Sequence, residues 1–92
     1  MTLNGLIFTL MQNHVKNYLE YFKPFDTPLC ESCGCLSCEI HHLTPRSKFG
    51  SKTKHLQDHP SNLIALCRTC HEKAHNQREF NNELKEYRLL NM

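Results

Sequence analysis

The chain has 92 residues, 39% of them hydrophobic and 22% charged, and a formal net charge of +2. A chain this short makes one small domain burying little more than about 60% of its unfolded surface, so a staple beyond its core is expected. No apolar run approaches the roughly 20 residues that span a bilayer, and so small a net charge says little about partners.

The staple can come from the six cysteines, as disulfides or as metal ligands. The opening Met1-Thr2-Leu3-Asn4-Gly5 shows neither a cationic leader nor a small-residue cleavage site, so a reducing cytoplasm is the expected compartment. There, close Cys-x2-Cys pairs favour zinc over disulfides.

In chain order, residues 3–22 come first. Leu3, Leu6, Ile7, Leu10, Met11, His14, Val15, Tyr18, Leu19 and Phe22 recur at helical spacing, and Pro24 stops the pattern. One amphipathic helix is expected, either lying across the rest of the domain or pairing with its twin in a homodimer. His14 falls on the apolar side and reads as a packed or half-exposed residue rather than a ligand. With the connector that follows, the helix forms an N-terminal segment, residues 1–28.

Cys30-x2-Cys33-Gly34 has the form of a zinc knuckle. The glycine after the second cysteine permits the positive φ that relieves crowding there. Cys38 to Leu43 reads as a short strand ended by Pro45, and Asn62 to Leu66 as a second. Between them runs a long loop, residues 44–61, of the kind that tends to be functional. Its Arg46, Lys48, Lys52 and Lys54 suit a phosphate backbone, although a merely solvated loop would look the same.

A helix is expected from Arg68 or Thr69, carrying His71 and His75 as an i, i+4 pair on one face. Asn81-Asn82 should interrupt it, leaving a short frayable helix with Leu84, Tyr87 and Leu90 on one side. The organisation is then a central domain, residues 29–80, and a C-terminal tail, residues 81–92.

Cys30, Cys33, Cys67 and Cys70 match two knuckles closing over one structural zinc ion. Cys35 and Cys38 form a third Cys-x2-Cys, but Cys38 lies within the expected strand and no glycine follows it; these two read as a half-buried filler and a free thiol. Cys67-x2-Cys70-His71 also fits c-type haem attachment, which requires export and leaves the upstream pair unexplained.

His41, His71 and His75 can meet one further divalent ion (Mg2+, Mn2+, Ni2+ or Zn2+), with positions left open for water and a phosphate oxygen. His42, pointing to the other face of an ideal strand, is spare; both imidazoles can serve one site only if the strand bends. A spare imidazole beside a metal-bound phosphate is a candidate general base. The side-chain oxygen of Asn62 can steady that ring, or Asn62 can simply cap the turn into its strand.

These blocks (Glu39-Ile40-His41-His42-Leu43-x-Pro45, Asn62-Leu63-x-x-Leu66 and Cys67-x2-Cys70-His71-x3-His75) closely resemble the HNH endonucleases, the ββα-metal or His-Me finger nucleases, in their zinc-knuckle subset. The resemblance covers Cys30 to His75. It implies a small α+β fold: a ββα-metal finger stapled by four cysteines, with an N-terminal amphipathic helix and a short C-terminal helix. It further implies metal-dependent hydrolysis of DNA, with His42 as base, Asn62 its orienting partner, His71 a metal or phosphate ligand, and His41 and His75 metal ligands. The backbone would be held by Arg46, Lys48, Lys52, Lys54, Lys73 and Arg78, the hairpin and helix entering the minor groove. Products would carry 5′-phosphate and 3′-hydroxyl ends. The departures are Cys35 and Cys38, a short distance from knuckle to His pair, and a loop without the common double glycine. Small proteins of this kind are encoded near phage packaging genes, restriction systems or mobile introns. The rival readings are a non-catalytic zinc module that binds nucleic acid and a zinc-stapled protein adaptor.

Overall fold

The structure is a computed structural model that describes residues 12–24, 28–36 and 39–92. Residues 3–11 of the expected first helix, the Phe25–Thr27 connector, and Ser37 and Cys38 lie outside the described residues. The described part of that helix is α1, Asn13–Phe22, closed by Lys23 in the left-handed region (φ 47°) immediately before Pro24.

Next comes the first knuckle, a tight loop closed by the Leu29–Leu36 bridge. Gly34 takes φ 83°, the conformation its place after Cys33 demands, and its amide donates to the Cys30 carbonyl at 2.8 Å.

Strand β1, Glu39–His42, pairs antiparallel with β2, Leu63–Leu66, in a two-stranded sheet. His41 stands opposite Ile64 and His42 opposite Leu63. The connection between them is a run of single 3-10 turns, Arg46–Lys48, Lys54–Leu56 and Pro60–Asn62.

All four residues of β2 are buried, because elements cover both faces of the sheet. One face packs Ile64 and Leu66 with Leu43, Ala74, Leu84, Cys30 and Cys70. The other packs Leu63 and Ala65 with Tyr18, Leu19, Phe22 and Ile40. The described part of α1 therefore lies across the domain and completes its second face.

Helix α2, Arg68–Asn76, begins at Cys67, whose sulfur accepts from the Cys70 amide. Helix α3 spans Arg78–Leu90, so the expected interruption at Asn81-Asn82 is corrected. The chain turns instead at Gln77, in extended conformation, although no glycine or proline marks the spot. Packing decides this. Phe80 and Leu84 reach the core only if the second helix starts before them. The expected apolar side of the last helix is also corrected: Leu90 and Tyr87 are exposed, and Arg88 joins Leu84 as the buried pair.

Arg88 is 1% exposed and ties the halves of the molecule together. Its guanidinium donates to the Leu63 carbonyl at 2.9 Å and to Glu31 Oε2 at 2.5 Å, and covers the Phe22 ring at 4.3 Å. Glu31 Oε2 also accepts from the Tyr18 hydroxyl and the Ala65 amide. A buried charge is tolerated only when paired and bonded in this way. Among the described residues, no helix is long and apolar enough to cross a membrane.

Candidate active site

Two clusters of metal-ligating side chains lie where the knuckles and the sheet meet α2. In the first, the sulfurs of Cys30, Cys33, Cys67 and Cys70 lie within 4.8 Å of one another. The Cys33 and Cys67 sulfurs are 3.6 Å apart. Tetrahedral zinc with Zn–S bonds of about 2.3 Å needs sulfurs roughly 3.8 Å apart, so this set fits one metal ion. Burial would raise the Cys30 thiol, but backbone N–H groups at Cys67, Cys33 and Ser32 outweigh it and bring the pKa to about 6. Burial pushes the Cys70 thiol up to about 12. Cys35 is exposed and outside the set, so it is not the half-buried filler expected; Cys38 lies outside the described residues.

The second cluster is His41, His71 and His75, again with ligating atoms within 4.8 Å. Their rings meet edge to face, at 4.9 Å between His41 and His71 and 4.7 Å between His71 and His75. Each of the two inner rings has a fixed tautomer. Asn81 Nδ2 donates to the Leu43 carbonyl, which turns its Oδ1 to His41 Nε2 at 3.0 Å. That nitrogen must carry the proton, and the lone pair is left on Nδ1. Glu39 Oε2 accepts from His71 Nδ1 at 2.7 Å, leaving the lone pair on Nε2. Burial brings the pKa of His41 down to about 4, with neighbouring His71 and His75 lowering it further against the Asn81 bond. The ring is therefore neutral and ready to ligate at any ordinary pH.

His42 points to the opposite face, where α1 and the end of the long loop meet. Its Nε2 donates to Asp58 Oδ1 at 2.8 Å, leaving Nδ1 bare. The His14 ring lies against it, tilted by 40°, with centroids 4.5 Å apart, and desolvation lowers the pKa of His14. Asn17, also on α1, donates to the Asp58 carbonyl at 2.8 Å and so fixes the loop.

The expected bond from Asn62 to His42 is absent and is corrected here. Asn62 Oδ1 accepts from the Thr44 amide, while Nδ2 donates to the carbonyls of Thr44 and Gln57. A side chain 8% exposed and fully used in this way clamps both ends of the loop. It is thus nearer to the capping role, and it holds the loop that carries Asp58.

No bend in β1 is needed to bring the two faces into one site. His14, His42, His41, His71, His75 and Asn81 all line one cavity of about 810 Å3. Of the basic residues singled out from sequence, Arg46 and Arg78 line this cavity. Lys48, Lys52 and Lys54 are exposed on the loop, and Lys73 sits over the Phe80 ring at 4.4 Å.

Sequence reasoning assigned no role to Asp58, Asn81 or Glu39. A signal existed for one of them, since Asp58 is the sole acid between Glu39 and Glu72. Asn81 read as a helix breaker, and nothing local distinguishes it.

The sequence profile of the HNH endonucleases matches residues 29–77. A mitochondrial DNA mismatch repair protein, a mutS homolog of Sarcophyton glaucum, is 33% identical over 46 residues, which is 50% of this chain and 5% of that protein. The chain thus spans only a small fraction of that relative's length. No solved structure matches significantly.

Proposed function

Because the chain belongs to the HNH endonuclease family, we propose that it hydrolyses phosphodiester bonds of DNA, with His42 as general base and His41, His71 and His75 holding one divalent ion. The observation that carries this reading is the division of labour among the imidazoles. Three converge as ligands, while His42, the next residue to His41, turns away from them and is held by a carboxylate, its Nδ1 bare. A binding module without cleavage has no use for that pair.

His42 Nδ1 accepts the proton of the attacking water, and Asp58 keeps the ring oriented and stabilises the imidazolium that forms. Arg46 and Arg78, on the cavity wall, hold the scissile phosphate by charge-assisted bonds. Lys48, Lys52, Lys54 and Lys73 extend the grip along the backbone. The ion, when bound, supplies positive charge against the transition state and the departing 3′ oxygen. Zinc is the ion we assign to the four cysteines, which need a reducing cytoplasm to stay as thiols. The partial match to a protein named for DNA mismatch repair supports DNA as the substrate.

Supercoiled plasmid incubated with Mg2+, Mn2+ or Ni2+, with and without chelator, tests the proposal. Metal-dependent nicking is expected with Mg2+ or Mn2+ at the least, ending in 5′-phosphate. Salt-sensitive DNA binding without cleavage under every metal overturns it. One active centre nicks unless two copies pair, so the mass in solution belongs in the same experiment. Double-strand cutting would go with a homodimer formed through the N-terminal helix.

A further inference from the structure

His42 takes part in a third cluster that the proposed chemistry does not use as such. His14, His42 and Asp58 present ligating atoms all within 4.8 Å of one another. The three come from separate elements: α1, β1 and the loop end before the last 3-10 turn. All three are half-buried, and the backbone of Asp58 is already anchored by Asn17.

We infer that His14, His42 and Asp58 form a third cation site for an imidazole-binding transition metal such as Zn2+ or Co2+, and that its occupation switches the nuclease off. Two imidazoles and one carboxylate are a common donor set for such ions, with open positions for water. Arg46 lies close enough to act electrostatically on His14. A neighbouring cation disfavours binding by charge alone, so the site selects an ion that bonds strongly to nitrogen over Mg2+ or Ca2+.

The inhibitory consequence, which rests on His42 being the base, follows from counting electrons. A neutral imidazole has one lone pair. An ion on Nε2 displaces the proton shared with Asp58, and the ring remains neutral only with its proton on Nδ1; an ion on Nδ1 takes the base position directly. Either way no lone pair remains for water. The ion would also clamp α1 to the loop through a direct bond.

The test uses the full chain with its sulfur-bound ion retained, titrated with Co2+ or Zn2+ against a chromophoric chelator. The wild type is expected to take two further ions. His14→Phe, which keeps an aromatic ring against His42, should take one, as should His14→Ala; His75→Ala should lose the other. Undiminished uptake by a folded His14→Phe protein overturns the site. In the cleavage arm, run in Mg2+, excess Zn2+ should inhibit the wild type, and His14→Phe, with each rate taken relative to the same protein's zinc-free rate, should need at least about 10-fold more Zn2+ for equal fractional inhibition. Equal inhibition of both proteins overturns the switch. If the wild type never cuts DNA, the nuclease reading fails by itself, and the ion count still decides the site.

Discussion

His42 Nε2 and Asp58 Oδ1 lie 2.8 Å apart, with side chains 15% and 16% exposed. A carboxylate thus fixes the tautomer of the ring next in sequence to His41, and does so from a loop 16 residues away. Replacing His42 by Ala should leave the fold and any ion on the four cysteines or on His41, His71 and His75 intact, and lower cleavage about 100- to 10,000-fold. Asp58→Asn should cost about 10- to 100-fold, since the ring keeps its place and loses its fixed proton. Single-turnover cleavage of a labelled duplex measures both. A wild-type rate in His42→Ala would remove it from the chemistry.

Asn62 is expected to behave differently from Asp58. Asn62→Ala leaves the Thr44 amide and two carbonyls without partners, and should lower stability by about 2 kcal/mol in urea melts. Its activity should match the wild type once corrected for the folded fraction, whereas Asp58→Asn should lower the rate of fully folded protein. A lowered rate in fully folded Asn62→Ala would restore a direct role at the ring.

Metal removal separates the four-cysteine set from the three-histidine set. Stripping the ion from Cys30, Cys33, Cys67 and Cys70 should unfold the chain, because Cys30 and Cys70 belong to the core and such sites contribute ~10 kcal/mol or more. His71→Ala with His75→Ala should abolish cleavage while the circular dichroism spectrum stays native. Retention of a native spectrum after complete loss of the thiolate-bound ion would contradict the first expectation.

Acid should destabilise the fold through His41. Its folded pKa of about 4 lies below the ordinary value of 6.5, so the unfolded chain binds the proton first on acidification. Stability is then complete above pH 6.5 and is lost as pH falls toward 4, by up to about 3 kcal/mol. His41→Gln should lose correspondingly less over the same interval. Parallel stability curves for the two proteins would show that His41 titrates normally.

Arg88→Ala strands the Glu31 carboxylate in the core and should cost about 3–5 kcal/mol. Arg88→Met combined with Glu31→Gln removes both charges and should recover part of that loss. Differential scanning calorimetry of the two variants and the wild type reads the pattern. Equal melting temperatures for Arg88→Ala and wild type would deny the ion pair a structural role.

Residues that act through sequence spacing were legible before any coordinates. Cys30-x2-Cys33 and Cys67-x2-Cys70 set pairs of sulfurs by covalent geometry alone, and Gly34 announced its positive φ by position. His71 and His75 share a helix face because four residues make about one turn. His41 and His42 had to face opposite ways because strands alternate. What misled was local propensity at Asn81-Asn82: a polar pair that would favour a turn by itself is helical here, because Asn81 spends its amide on His41 and Leu43.

The order of ligands, knuckles and strands is written into neighbouring residues, and so the sequence by itself determined the family, the ββα plan and the histidines at its centre. The supporting partners depend on folding. Asp58 reaches His42 across 16 residues, Asn81 reaches His41 across 40 and Arg88 reaches Glu31 across 57. No periodicity links such positions. Only the packing of α1 and α3 on opposite faces of a two-stranded sheet brings them within bonding distance, and that packing is a property of the whole chain.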